Sequence, residues 1–190
     1  IACGEGGMIT TNSKSLYEKI ILLRTHGITK TGMIENHGDW YYEMKALGFN
    51  YRLTDIQSAL GLSQLAKNDL GVKRRNEIAS MYKKAFSGKI KYQDLPEGSY
   101  NAHHLFVIEV NERKKLYNYL RDNKIIPQIH YIPIHKLPYY RNIGYEEAHL
   151  SESEKYYSSC LSLPMYPSLQ NEEVDYIIEK VVSWKIVDSQ

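Results

Sequence analysis

Leu47-Gly48-Phe49-Asn50-Tyr51-Arg52-Leu53-Thr54-Asp55-Ile56-Gln57-Ser58-Ala59 joins an aromatic loop to a helix. Thr54 and Gln57 have the spacing of a capping box, in which the threonine hydroxyl and the glutamine side chain satisfy backbone N–H groups reciprocally. The helix is expected to continue through Ala59, Leu60 and Leu65. Asn50 and Arg52 stand just before it. An amide and a guanidinium beside a helix N-terminus suit an anion such as phosphate. The alternative is structural: Arg52 pairs with Asp55 or with a helix C-terminal carbonyl.

Upstream, residues 27–50 hold Gly27, Gly32, Gly38 and Gly48 with little periodicity, yet also Trp40, Tyr41, Tyr42, Met44 and Phe49. A disordered linker is poor in aromatics, and long loops in compact domains are commonly functional. The segment reads as an ordered arm. Before it, Gly6-Gly7 followed by Met8-Ile9-Thr10-Thr11 predicts a turn into a short strand. Asn12 or Ser13 then caps a helix with Leu16, Ile20 and Leu23 at helical spacing, stopping near Gly27. The opening Ile1–Gly7 reads as mid-protein, the expectation being the C-terminal part of a longer polypeptide.

Downstream, a second helical stretch carries Ile78, Met81, Tyr82 and Ala85 on one face and ends by Gly88. Strands are expected at 89–93 and 104–110, and a helix over 112–123. Residues 125–131 read as an edge strand because Pro127 cannot donate to a ladder. A short helix near 151–160 and a final helix begun by Asn171-Glu172-Glu173 complete the pattern. This is an α/β or α+β chain, with a boundary near residues 70–90.

Composition narrows the function. The 190 residues are 43% hydrophobic and 24% charged, with a net charge of +2. That is globular composition, and too weakly basic for a chain living on nucleic-acid phosphates. No apolar run approaches the ~18 residues of a membrane span. Cys3 and Cys160 form neither CxxC nor a disulfide framework, consistent with a reducing, cytoplasmic setting. Tyr is abundant, at 17 against 3 Phe. Clustered at Tyr41, Tyr42, Tyr51, Tyr131, Tyr139, Tyr140 and Tyr145, these rings suit either half-wet interfaces or a polar ligand cleft.

Gly4-Glu5-Gly6-Gly7 is neither a Walker loop nor a dinucleotide fingerprint. His130 and His135 flank Pro133 with no third metal ligand at a recognisable spacing; they read better as polar groups for a ligand's hydroxyl or phosphate. His103 and His104 are expected on opposite faces of a strand. Lys73-Arg74-Arg75 reads as a solvated helix face.

Taken together, Gly4–Asn12, Leu23-Arg24-Thr25-His26-Gly27, Leu47–Ala59, His130-Tyr131-Ile132-Pro133-Ile134-His135 and Leu161-Ser162-Leu163-Pro164-Met165-Tyr166-Pro167 resemble the DegT/StrS-type sugar-nucleotide aminotransferases, in order and over essentially the whole chain. The arm and the segment after it most resemble the branch that works in the pseudaminic acid pathway. The resemblance implies fold type I, similar to aspartate aminotransferase. Residues 1–75 would be the end of the large domain and 76–190 the small α+β C-terminal domain. Its Schiff-base lysine would lie just before Ile1, so no catalytic residue falls in the chain.

The same resemblance implies pyridoxal 5'-phosphate as cofactor, L-glutamate as amino donor, a nucleotide-linked 4-keto-6-deoxy sugar as acceptor, and a homodimer with shared active sites. Asn50 would reach the cofactor phosphate across the dimer. Arg52 would share that role or meet the substrate's diphosphate. Trp40 and Tyr41 would enter the neighbouring site, and His130, Tyr131 and His135 would face the substrate. Cys3 departs from the family, where Thr before the glycine is common. Two rivals follow: a PLP- or PMP-dependent sugar dehydratase relative, with His in place of the lysine, and a truncated non-catalytic interaction module.

Overall fold

The computed structural model describes residues 1–30, 37–145 and 148–188. Gly32 of the expected arm lies outside them. The chain divides into two units, Ile1–Asn68 and Asp69–Gln190; the division expected at 75/76 falls within a helix of the second.

In the first unit, helix α1 (Lys14–Arg24) starts at Ser13, whose Oγ accepts the Leu16 N–H at 3.3 Å. It ends where Gly27, at φ +67°, turns its N–H back to Leu22 O. Strand β1 (Ile28–Thr29) then leaves, and β2 (Glu43–Met44) returns antiparallel to it. The returning leg is zipped onto the end of α1. Lys45 N–H donates to Gly27 O at 2.7 Å, His26 N–H to Phe49 O at 2.8 Å, Phe49 N–H to Leu23 O at 2.7 Å and Tyr51 N–H to Arg24 O at 3.0 Å.

Only glycine fits where these legs meet. A Cβ on Gly27 would lie 1.8 Å from Ala46 O, and one on Gly48 would lie 2.2 Å from the Gly27 nitrogen.

Helix α2 (Asp55–Leu65) follows with its full capping box. Thr54 N–H donates to Gln57 Oε1 at 3.1 Å, and Gln57 N–H donates to Thr54 Oγ1 at 3.3 Å. The other end of the Gln57 amide donates to Glu5 O at 2.8 Å, tying the Gly-rich turn to the helix start. Met8–Thr11 is not a strand: a strand needs a paired ladder, and among the described residues none runs beside it.

The second unit has the core. Helix α3 (Asn68–Phe86) supplies Ile78, Tyr82 and Phe86 from Asp69 onward. A three-stranded antiparallel sheet, in the order β3 (Lys91–Tyr92), β4 (Phe106–Glu109), β5 (Cys160–Leu163), contributes Phe106, Ile108, Leu161 and Leu163. Phe106 pairs with Leu163 and Ile108 with Leu161 across β4 and β5. Helix α4 (Arg113–Asp122) adds Leu116 and Leu120; helix α6 (Asn171–Asp188) adds Val174, Ile177 and Val181. Helix α5 (Ser151–Ser159) runs directly into β5. Fully burying each large apolar side chain contributes about 1.5–3 kcal/mol.

Four local readings change. Residues 160–163 form β5, where the short helix was expected to lead straight to Leu163-Pro164; four residues abutting a helix leave too little periodicity to read. Residues 125–131 keep the edge position but pair only at Gln128, which bridges Ser162. Pro127 removes the donor that a longer ladder would need.

His103 and His104 precede β4, since Asn101 Oδ1 accepts the His103 N–H at 2.8 Å and His103 sits at φ +47°. Burial pushes the His103 imidazole pKa down. Arg74 and Arg75 are not a solvated face. Arg74 donates to Leu169 O and Asn171 Oδ1. Arg75 Nη1 donates to the carbonyls of His103, His104 and Met165, pinning two loops onto α3.

Candidate functional site

The residues expected to meet a ligand fall in both units. In the first unit, Asn50 sits on the zipped backbone and Arg52 lies just past its last bond, from Tyr51 N–H to Arg24 O, ahead of α2. Asn50 bridges Thr25 through its backbone, so its position is set by main-chain bonds. Both side chains are exposed. Among the described residues neither is tied up, and Arg52 makes no pair with Asp55. The backbone thus presents an amide and a guanidinium beside the positive end of a helix dipole. This donor set suits a phosphate.

On the arm, Trp40 is 78% exposed. Tyr41 is held differently. Its ring stacks on His37 at 4.0 Å, and its phenol donates to Glu43 Oε1 at 2.9 Å. Lys45 pairs with the other oxygen of Glu43. That lysine, then the tyrosine hydroxyl, holds the Glu43 pKa below the usual carboxylate range. The hydrogen bond to Glu43 in turn raises the Tyr41 phenol pKa. Glu43 and Lys45 were not expected as site residues; their alternation with Tyr41 was the available signal.

In the second unit, His130 is half-buried and its Nδ1 lies 2.8 Å from Ser162 Oγ. Tyr131 is exposed and meets the His130 ring nearly edge-on. His135 is buried, on the turn Ile134–Lys136, with Nε2 2.9 Å from Glu154 Oε1 on α5. Lys136 Nζ reaches Glu154 Oε2 at 2.7 Å. Lys136 first, and His135 second, hold the Glu154 carboxyl down to about 2. The structure therefore joins His130 and Tyr131 as neighbours and turns His135 toward Glu154. Ser162 and Glu154 were missed, because both reach their partners from far along the chain. Among the described residues no cluster of metal-ligating side chains occurs, and no helix is long and apolar enough to cross a membrane.

The model of the DegT/DnrJ/EryC1/StrS aminotransferase family matches residues 1–182. The chain belongs to this family. It is 38% identical over 199 residues to the spore coat polysaccharide biosynthesis protein SpsC of Bacillus subtilis, covering 95% of this chain and 50% of SpsC. It is 33% identical over 189 residues to a UDP-4-amino-4,6-dideoxy-N-acetyl-beta-L-altrosamine transaminase of Helicobacter pylori, covering 96% and 48%.

Among solved family structures, Helicobacter pylori PseC, an aminotransferase involved in the biosynthesis of pseudoaminic acid, superposes with a TM-score of 0.80 at 31% identity. That match covers 91% of this chain and 47% of PseC. The PLP-form of the sugar aminotransferase Spr1654 of Streptococcus pneumoniae gives 0.81 at 28% identity, covering 93% and 45%. The chain spans about half the length of the family members it matches. The fold is that of the sugar aminotransferases, PLP fold type I.

Proposed function

We propose that the chain forms part of a PLP-dependent aminotransferase that converts a nucleotide-linked 4-keto-6-deoxy sugar to the 4-amino sugar, with L-glutamate as donor. The product would enter bacterial surface-glycan or glycoprotein sugars. The observation that carries this reading is the exposed Asn50–Arg52 pair, with Asn50 fixed by the zipped backbone and Arg52 between it and the start of a capped helix. The names of SpsC and of the Helicobacter pylori transaminase support the sugar and the pathway class.

In this reading the Asn50 amide donates to a phosphate oxygen of the cofactor, and Arg52 supplies positive charge to that phosphate or to the substrate's diphosphate. The cofactor supplies the electron sink. The protein works as a homodimer, with the arm of one subunit entering the partner's site. There Trp40 offers a flat apolar face to the sugar nucleotide, and Tyr41 a phenol whose direction Glu43 sets. His130 and Tyr131 meet the sugar from the small domain. His135 belongs to the same segment but spends its Nε2 on Glu154, so its part is to hold the loop in place. The protein is cytoplasmic.

The test uses the full polypeptide that carries this chain and the cofactor-bearing lysine. Purified with PLP it should be yellow, and L-glutamate should bleach the colour. A UDP-linked 4-keto-6-deoxy-N-acetyl sugar should then yield an amine detectable by mass spectrometry. A protein that stays colourless with saturating PLP and makes no amine overturns the proposal. Asn50→Ala should keep its fold and weaken PLP retention roughly tenfold, the scale of one hydrogen bond to a charged group. Unchanged PLP affinity removes Asn50 from the phosphate site.

A further inference from the structure

Ser162 stands out on β5. It is a polar residue between Leu161 and Leu163, only 4% exposed, in a strand whose four residues are all buried. A buried hydroxyl needs a partner. Among the described residues its side-chain partner is one atom, the Nδ1 of His130 at 2.8 Å.

The backbone explains how the two meet. Gln128 and Ser162 form a closely bonded antiparallel pair, with Gln128 N–H donating to Ser162 O at 3.0 Å and Ser162 N–H to Gln128 O at 2.8 Å. Directly opposed residues share a face, and a residue two positions along the partner chain is the diagonal neighbour. His130 stands at that diagonal. The pairing that ends at Gln128 therefore brings the imidazole over the Ser162 hydroxyl. The Tyr131 ring closes on it edge-on, with centroids 4.6 Å apart.

We propose that Ser162 is the positioning residue for His130. Its hydroxyl occupies Nδ1 and aims the free Nε2 at a hydroxyl or phosphate oxygen of the nucleotide-linked sugar. This rests on the reading above that His130 meets the substrate. Ser162 itself touches no substrate; it acts by fixing the plane of the ring and by deciding which nitrogen is available. A ring tied on one nitrogen loses less freedom when the other engages a ligand.

The test compares Ser162→Ala, Ser162→Thr, His130→Gln and the double variant Ser162→Ala/His130→Gln in the full polypeptide. Two readouts are taken: kcat and KM for the ketosugar, and the ring-nitrogen NMR shifts of isotope-labelled His130, assigned by the loss of its signal in His130→Gln. Ser162→Ala should lower kcat/KM roughly tenfold, the upper range for one hydrogen bond. It should also move the His130 nitrogen shifts toward a mixture of tautomers. Ser162→Thr keeps the hydroxyl and should restore both.

In the double variant the Ser162→Ala change should add nothing to His130→Gln, because coupled residues are not additive. A general structural loss would add. Full loss of activity in His130→Gln with none in Ser162→Ala overturns the positioning role alone. Unaltered activity in His130→Gln overturns the substrate-facing reading and with it the role of Ser162, while the NMR shifts still report whether the Ser162–His130 bond exists. If Ser162→Ala fails to fold, unmoved shifts in Ser162→Thr together with wild-type kcat/KM still support the proposal; moved shifts with unchanged kinetics overturn it.

Discussion

The two units spend their apolar residues in opposite ways. In the second, α3, α4 and α6 close on a sheet, and the buried hydrophobic residues run from Ile78 to Val181. In the first, neither α1 nor α2 buries a residue, although α2 carries Ile56, Leu60, Leu62 and Leu65. Backbone bonds, caps and two glycine contacts hold that unit instead. The difference teaches that a helix can be well specified locally, by its caps and spacing, without a core of its own. An apolar exposure of this extent marks surface made to be covered.

The sharpest test of the contrast is a matched pair of truncations. Phe86→Ala in the core of the second unit should cost about 3–5 kcal/mol, by cavity formation and lost contact. Leu62→Ala on α2 should stay within about 0.5 kcal/mol in the isolated chain. Urea unfolding of each variant measures both, and equal losses would break the comparison.

Gly27→Ala comes next. The added Cβ cannot coexist with Ala46 O, and φ +67° disfavours any side chain. A local loss of about 1–3 kcal/mol is expected. Hydrogen exchange should quicken at the Phe49 and Tyr51 amides while the second unit keeps its protection. Slow exchange at those amides would show that the zip is not what holds the arm.

Much of this contrast was legible in the sequence, and the limit was distance along the chain. The capping box at Thr54 and Gln57, the cap at Ser13 and the start of α6 at Asn171 are signals within one or two turns, and they appear where expected. So does the position of Asn50 and Arg52 just ahead of α2. The zip was not legible, because Gly27 and Gly48 meet only after the arm has gone out and back. Nor were Ser162 and Glu154, whose partners are 32 and 19 residues away. Lys73 is exposed as expected, but Arg74 and Arg75 looked solvated beside it because charge alone does not reveal the carbonyls of His103, Met165 and Leu169 waiting for them.

Two smaller effects refine the comparison. Thr54→Ala removes the cap of α2 and should cost about 1 kcal/mol. The loss should appear in exchange at the first turn of α2 rather than in the global unfolding of the second unit. A global shift would mean the units are more strongly coupled than their separate construction suggests.

Glu154 gives the smallest change, since its carboxylate is partly exposed and screened. Its pKa is lowered to about 2 from an ordinary value of 4.5. The stability it contributes is whole above about pH 4.5 and fades as the pH falls toward 2. Wild type should therefore lose more stability than Glu154→Gln across that window, as read from urea midpoints at several pH values. Parallel curves would mean that the contacts from Lys136 and His135 add nothing in solution.

Gln57 has a consequence for which substitutions the chain can tolerate. A capping box ordinarily accepts glutamate or glutamine at its third position, since only an acceptor oxygen is needed. Here the other end of the same amide donates to the carbonyl of Glu5, 52 residues earlier. Glutamate would keep the cap, lose that donor and set a negative charge against a carbonyl oxygen. The alphabet allowed at the start of α2 thus shrinks from two letters to one, and the constraint is imposed by a turn near the other end of the unit.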